Sequence, residues 1–216
     1  MKPLIKICCI QYEQEAADAI SFGAAAVGLV GAMPSGPGPI SDEEICRIAQ
    51  TVPPPIATFL LTSEQTSQGI INHHRRTKTN TIQIVDELAG RDYSAIREAL
   101  PHVKLVQVIH VIGDESVDEA CELASHVDAI LLDSGNPKLA IKELGGTGRR
   151  HDWRLSRTIV ETCGKPVFLA GGLDSSNVRE AIDSVQPFGL DLCSGVRTDG
   201  ELDLPKLENF FIAAGY

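Results

Sequence analysis

Two ionisable side chains stand at the ends of apolar runs, where they could exchange protons with a substrate. Asp133 follows the apolar residues 129–132, so its carboxyl would emerge from a strand into partly desolvated surroundings, which favour the protonated form that a general acid needs. Cys8 ends an apolar run on the same strand face as Lys6, whereas Cys9 takes the opposite face. Because a nearby cation lowers the pKa of a thiol, Cys8 could serve as a base. A turn-capping aspartate and a core cysteine are the structural alternatives for these two residues.

Small residues that follow two later apolar runs suit the binding of an anion. Gly171-Gly172 comes after the run 167–170, and Ser194-Gly195 after the run 189–193. Backbone N–H groups without bulky side chains can approach a phosphate closely, although a plain turn is the alternative. The segment Gly145-Gly146-Thr147-Gly148 could be a further anion cradle, a lid over the site or a simple turn. With the proton-transfer pair, these segments predict isomerisation of a phosphorylated substrate.

The elements that position these residues follow from a repeating pattern of eight short apolar runs with helical periodicity between them. The runs span residues 4–8, 26–30, 55–61, 81–85, 104–111, 129–132, 167–170 and 189–193. Strands that are apolar throughout are typical of a parallel sheet covered by helices. We therefore predict a single-domain (β/α)8 TIM barrel over residues 1–216, with its active site at the C-terminal ends of the strands. An open doubly wound sheet is the alternative, but the first turn lacks the glycines typical of that fold.

Helix start and stop signals support the alternation. Ser41 with Glu44 forms a capping box, which predicts the start of a helix. A second helix begins near Asp152, a third follows Asp174, and a fourth covers residues 206–213.

Composition limits the classes of function. The 216 residues carry a formal net charge of −10 and 43% apolar residues, which permit a sizeable core and disfavour nonspecific binding to nucleic acid or to an anionic membrane. No apolar stretch reaches the roughly 18 residues that span a bilayer, and the N-terminus lacks a signal-peptide pattern. We therefore expect a cytoplasmic protein. The six cysteines show no zinc-type spacing, so we predict reduced thiols and no metal site.

Several motifs occur in an order and spacing that resemble one known family. They are Lys6-Ile7-Cys8, Leu131-Leu132-Asp133-Ser134, Gly145-Gly146-Thr147-Gly148, Asp152-Trp153, Leu169-Ala170-Gly171-Gly172-Leu173, Asn177-Val178 and Asp191-Leu192-Cys193-Ser194-Gly195-Val196. This joint pattern covers nearly the whole chain and resembles phosphoribosylanthranilate isomerase. The resemblance implies a compact (β/α)8 barrel without a cofactor. It also implies an Amadori rearrangement in tryptophan biosynthesis, from N-(5-phosphoribosyl)anthranilate to the 1-deoxyribulose 5-phosphate aminoketose.

The resemblance also implies roles for individual residues. Asp133 would protonate the ribose ring oxygen, and Cys8 would then remove the C2 proton. The phosphate loops would correspond to Gly171, Gly172, Ser194 and Gly195, and Asp191 matches a polar residue at the end of the eighth strand. Gly146 and Arg149 are further candidates for substrate binding. The expected partner is a small phosphorylated molecule, and barrels of this kind occur as monomers or homodimers.

The chain departs from the family pattern at the mouth of the predicted barrel. Cys9 stands where the family keeps glycine, and we expect its side chain to point away from the barrel axis. Gly38 occupies the place of an arginine that holds the anthranilate carboxylate, a contact that glycine cannot replace. Val85 and Asp86 stand in place of His-Gly, and Asp86 would repel an anionic substrate unless its side chain turns away.

These departures leave alternatives open. Arg149, Arg150 or Arg197 could supply the missing charge, although a solvated loop is the simpler interpretation of the first two. The protein could instead isomerise a related phosphosugar amine that lacks the aromatic carboxylate. A barrel that binds a phosphometabolite without turning it over is a third possibility, against which the presence of both proton-transfer residues argues.

Overall fold

The computed structural model describes residues 2–136, 139, 142–144 and 148–216, and within them eight parallel strands close into a barrel in sequence order. The strands are β1 (Leu4–Ile7), β2 (Ala26–Val30), β3 (Ala57–Thr62), β4 (Thr81–Ile84), β5 (Lys104–His110), β6 (Ala129–Asp133), β7 (Val167–Leu169) and β8 (Gly189–Leu192). The barrel closes where β1 pairs with β8, with Leu4 opposite Gly189 and Ile7 opposite Leu192. Each strand coincides closely with a predicted apolar run, so the (β/α)8 prediction is confirmed.

Helices surround the barrel. They are α1 (Glu13–Ser21), α2 (Asp42–Thr51), α3 (Ser67–Thr77), α4 (Tyr93–Ala99), α5 (Glu115–Ala124), α6 (Trp153–Thr162), α7 (Val178–Val185) and α8 (Leu204–Ala214). The capping box of Ser41 and Glu44 is present at α2, and the Asp152 side chain caps α6. No helix among the described residues is long and apolar enough to cross a membrane.

Two apolar layers hold the barrel together, one on each side of the strands. Outward-facing residues such as Ile5 and Ile7 pack against the helices, and inward-facing residues such as Cys8, Phe59 and Phe168 fill the interior. Strand residues alternate between the two faces, which places Lys6 and Cys8 inside the barrel. The interior side chains form an apolar floor beneath the mouth.

A short antiparallel pair, β9 (Arg197–Thr198) and β10 (Glu201–Leu202), follows β8. The buried Arg197 guanidinium donates to Glu15 on α1 at 2.8 Å and to the Cys9 carbonyl oxygen at 2.6 Å. This arginine therefore fixes the end of β1, where the candidate base stands, against the segment that follows β8.

Candidate active site

A cavity at the C-terminal ends of the strands brings together residues that are far apart in the sequence. Its lining includes the predicted site residues Cys8, Asp133, Gly171, Gly172, Asp191 and Ser194. The mouth of a barrel collects the strand ends in one place, and for this reason residues from β1, β6, β7 and β8 meet there. Gly145, Gly146 and Thr147 lie outside the described residues.

A buried ion pair lies at the floor of the cavity. Lys6 is fully buried, and its Nζ donates to Asp191 Oδ1 at 2.8 Å while it lies 5.1 Å from the centre of the Phe59 ring. Burial alone would lower the pKa of Lys6, but the neighbouring Asp191 carboxylate outweighs that effect and the pKa is raised. Lys6 therefore supplies a permanent positive charge beneath the mouth.

The Cys8 thiol is held in surroundings that favour its ionised form. A hydrogen bond with Cys9 and the nearby charge of Lys6 lower the pKa of Cys8, against the opposing effects of burial and of the Asp191 carboxylate. Gly28 on β2 makes room for this arrangement, because a Cβ atom at that position would lie 2.8 Å from Cys8 Sγ and 3.1 Å from Lys6 Nζ. The lowered pKa suits Cys8 to act as a base.

Cys9 points into the mouth, so the prediction that it faces away from the axis is wrong. Its φ of +62° takes the backbone out of the extended conformation, and the alternation of faces along β1 does not continue to it. The Cys9 side chain joins the interior cluster and donates to the Pro37 carbonyl at 3.6 Å. Hydrogen bonds with Cys193 and Cys8, together with burial, raise its pKa well above the ordinary thiol value.

Asp133 is the last residue of β6 and reaches the cavity as a largely buried carboxyl that is 7% exposed. Its Oδ1 accepts the backbone N–H of Ser134 at 2.6 Å, which fixes the orientation of the carboxyl. His151 lies near this carboxyl, yet burial lowers the pKa of His151 to about 4. The histidine is therefore neutral at pH 7 and does not pair with Asp133 as a cation.

The two glycine-containing loops pack closely against backbone. A Cβ atom at Gly172 would lie 2.8 Å from the Gly148 carbonyl oxygen, and one at Gly195 would lie 2.0 Å from the Leu173 carbonyl oxygen. Gly171 and Gly172 also have φ values of +89° and +63°, which favour glycine. The loops after β7 and β8 therefore meet at one side of the mouth, with Ser194 beside them in the cavity lining.

The three arginines considered as substitutes for the missing charge are all engaged elsewhere. Arg149 pairs with Glu143, and Arg150 pairs with Glu180 at 3.3 Å on the outer surface. Arg197 is buried in the contacts with Glu15 and the Cys9 carbonyl described above. The hypothesis that Arg197 replaces the lost arginine is therefore wrong, because its charge is already neutralised inside the protein. Substrate binding by Arg149 stays a prediction.

The side chain of Asp86 turns away from the cavity. Lys142 Nζ lies 2.6 Å from Asp86 Oδ2, and Asp86 Oδ1 accepts the N–H of Glu87 at 2.8 Å. Val85, by contrast, lines the cavity. The replacement of His-Gly by Val85 and Asp86 after β4 therefore places an apolar side chain in the mouth, and Lys142 pairs with the added carboxylate.

Gly38 and Cys9 occupy adjoining space. A Cβ atom at Gly38 would lie 2.7 Å from Cys9 Cβ and 3.1 Å from Cys9 Cα. Gly38 also has a φ of +83°. The two departures from the family pattern are thus in direct contact, although they are far apart in the sequence.

Gln83 and Cys193, to which the sequence pattern gives no role, also line the cavity. Gln83 is 3% exposed, and its Oε1 has no hydrogen-bond partner among the described residues. The sequence feature that could have identified Gln83 is a glutamine inside an apolar strand. Cys193 lines the cavity beside Cys9, and its position two residues beyond Asp191 was the corresponding signal.

Comparison with known proteins agrees with the architecture. The profile of the N-(5'-phosphoribosyl)anthranilate (PRA) isomerase family matches residues 5–213. An N-(5'-phosphoribosyl)anthranilate isomerase of Methanosarcina acetivorans is 34% identical over 97% of this chain and 92% of its own length.

Solved structures point the same way. The phosphoribosyl anthranilate isomerase of Thermotoga maritima superimposes with a TM-score of 0.82 and 27% identity, covering 98% of each chain. A phosphoribosyl anthranilate isomerase in complex with reduced 1-(o-carboxyphenylamino)-1-deoxyribulose 5-phosphate gives a TM-score of 0.79 and 26% identity, again over 98% of each chain. The resemblance seen in the sequence is confirmed, and the chain belongs to the N-(5'-phosphoribosyl)anthranilate isomerase family.

Proposed function

We propose that this protein catalyses the Amadori rearrangement of N-(5-phosphoribosyl)anthranilate to the 1-deoxyribulose 5-phosphate aminoketose. The observation that carries the proposal is the convergence of one thiol with a lowered pKa, Cys8, and one carboxyl, Asp133, in a single cavity. A reaction that needs one acid and one base requires this equipment. Family membership supplies the substrate.

The reaction proceeds by two proton transfers. Asp133 donates a proton to the ring oxygen of the ribose, the C1–O bond breaks, and the nitrogen lone pair forms a protonated Schiff base. The Cys8 thiolate then removes the C2 proton, which the adjacent iminium has made acidic, and an enolamine results. Tautomerisation of the enolamine gives the ketone. The hydrogen bond with Cys9 and the buried charge of Lys6 lower the pKa of Cys8 and so favour the thiolate.

Binding of the phosphate is assigned to the loops after β7 and β8. Gly171, Gly172, Ser194 and Gly195 bring backbone N–H groups to one side of the mouth, where glycine permits close approach to an anion. Asp191, held by Lys6, lines the same cavity. Gly38 cannot hold the anthranilate carboxylate. We therefore expect its presence to raise the Michaelis constant rather than to lower the turnover number. A cytoplasmic location stays a prediction.

The test is a turnover assay that follows the loss of substrate fluorescence with purified protein. We expect turnover by the unaltered chain, and loss of most activity in both Cys8→Ala and Asp133→Asn. Cys121→Ser is the matched control, because Cys121 is an exposed thiol on α5. An inactive native protein at high enzyme concentration would reject the proposal. Full activity of Cys8→Ala would reject the assigned base.

A further inference from the structure

Three thiols from two neighbouring strand ends meet in the mouth of the barrel. Cys8 and Cys9 follow β1, Cys193 follows β8, and all three line the cavity. Cys8 and Cys9 belong to one buried cluster, and Cys193 packs against that cluster. The rearrangement uses Cys8 alone, which leaves Cys9 and Cys193 without a role in it.

The two adjacent thiols differ in reactivity. Cys8 lies above the buried Lys6 charge, and its pKa is lowered by the hydrogen bond with Cys9 and then by Lys6. A thiolate is the form that reacts with hydroperoxides. Cys9 stays protonated, because its hydrogen bonds with Cys193 and Cys8 raise its pKa. The pair therefore consists of one nucleophilic sulfur and one neighbouring thiol that can react with the oxidised product.

We propose that Cys8 and Cys9 form an oxidation site, at which a hydroperoxide converts the Cys8 thiolate to a sulfenic acid and Cys9 resolves that acid as a disulfide. The backbone places the second sulfur inside the mouth, since the positive φ of Cys9 turns its side chain toward the interior. With glycine at this position the second sulfur would be missing. The consequence for activity rests on the proposed function, whereas the oxidation chemistry does not.

Both steps balance. The Cys8 sulfur attacks one oxygen of the hydroperoxide, an S–O bond forms, the O–O bond breaks, and hydroxide or alkoxide leaves with the two electrons that the sulfur gives up. The Cys9 sulfur then attacks the Cys8 sulfur, an S–S bond forms and the S–O bond breaks. The departing hydroxide takes the Cys9 proton and leaves as water. A dithiol reductant returns both residues to thiols.

Cys193 extends the site. Its side chain packs against the buried cluster that contains Cys9. A disulfide between adjacent residues is strained, because consecutive Cα atoms lie only about 3.8 Å apart, so thiol–disulfide exchange can move the bond from Cys8–Cys9 to Cys9–Cys193 and release Cys8 as a thiolate. Either product contains Cys9. Without Cys9 the sulfenic acid lacks this adjacent partner, and further oxidation to the sulfinic acid is irreversible for an ordinary protein thiol.

Peptide mapping after treatment with hydrogen peroxide tests the chemistry directly. Trypsin releases Cys8 and Cys9 on residues 7–47 and Cys193 on residues 180–197. Cys46 lies on the first of these peptides, so the experiment uses a Cys46→Ser background. We expect loss of two hydrogens within residues 7–47, or a link between the two peptides through Cys9, each reversed by dithiothreitol. A sulfinic acid on Cys8 with Cys9 still a thiol would overturn the proposal.

Activity measurements supply a second readout. We expect peroxide to remove nearly all isomerase activity of the unaltered chain, and dithiothreitol to restore it to within about twofold. Cys9→Ser should lose activity without recovery, whereas Cys163→Ser, which changes a buried thiol at the end of α6, should behave as the unaltered chain does. Recovery of Cys9→Ser, including recovery through a Cys8–Cys193 bond, would overturn the role of Cys9. If Cys9→Ser does not fold, Cys9→Gly suits the positive φ and replaces it. An inactive native protein would reject the rearrangement and leave the peptide map to decide the oxidation site.

Discussion

The contact between Gly38 and Cys9 predicts that substitutions at the two positions are energetically coupled. Gly38→Ala would place a Cβ atom 2.7 Å from Cys9 Cβ, in a backbone conformation with a φ of +83°. The left-handed conformation costs an alanine about 1–2 kcal/mol, and forcing an extra carbon into occupied space costs about 1–3 kcal/mol more. We therefore expect Gly38→Ala to lower the free energy of unfolding by about 2–5 kcal/mol.

Removal of the Cys9 side chain should relieve most of the steric clash and leave the cost of the left-handed backbone conformation. In a Cys9→Gly background, Gly38→Ala should cost about 1–2 kcal/mol, because the contact with Cys9 Cβ is gone and the conformational part remains together with a tight 3.1 Å approach to the Cα of residue 9. Cys9→Gly alone should leave the free energy of unfolding nearly unchanged. Glycine adopts a φ of +62° without strain, but the loss of a small buried side chain offsets that gain. The predicted coupling energy of the double-mutant cycle is therefore about 1–3 kcal/mol.

Urea denaturation of the four proteins measures these differences. Gly90→Ala is the matched control, because Gly90 has a φ of +68° and a Cβ atom there would meet nothing within 4 Å. Gly90→Ala therefore measures the cost of the left-handed conformation alone, without a steric clash. Equal costs for Gly38→Ala in both backgrounds, or a cost no greater than that of Gly90→Ala, would refute the argument. By the same argument, Gly38→Arg should lower the Michaelis constant only when it is combined with Cys9→Gly.

Three further predictions follow from the charged and polar groups around the mouth. Cys9→Gly should move the acid limb of the kcat/KM profile to higher pH, because the hydrogen bond that contributes most to the lowered pKa of Cys8 is lost; an unchanged limb in a rate profile measured across that range would contradict this. His151 has a pKa of about 4 in the folded protein against about 6.5 when unfolded, so the unfolded state binds the extra proton between these values, and stability should fall by up to about 3 kcal/mol as the pH drops from 6.5 to 4. Urea midpoints for His151→Gln should lose this part of the pH dependence, and an identical dependence would contradict the assignment. Lys6→Met should cost about 3–5 kcal/mol because it leaves the Asp191 carboxylate buried without its partner, and adding Asp191→Leu should recover much of that loss; a double variant as unstable as the single one in the same titration would contradict it.

Much of the fold followed from local pattern. The alternation of apolar runs with helical segments predicted eight strands, and the capping box of Ser41 with Glu44 predicted the start of α2. Strand periodicity also placed Lys6 and Cys8 on one face, which the structure shows as the interior. These predictions succeeded because they depend on residues close together in the chain.

The prediction for Cys9 failed where that periodicity ended. The positive φ of Cys9 accompanies its contacts with Pro37, Gly38 and Cys193, none of which is near it in the sequence. Two partners of Arg197 are equally remote, since Glu15 and Cys9 stand at the other end of the chain. No local pattern carries information about such contacts.

The sequence by itself therefore determined the barrel, the family and the candidate acid and base, because strand periodicity and motif spacing are properties of short segments. Only the tertiary structure decided how the mouth is arranged. Barrel closure brings β1 against β8, and this pairing places Lys6 on Asp191 and Cys9 beside Cys193. Charges, thiols and space at the mouth depend on that closure, since each arises from side chains that become neighbours only when the first and last strands meet.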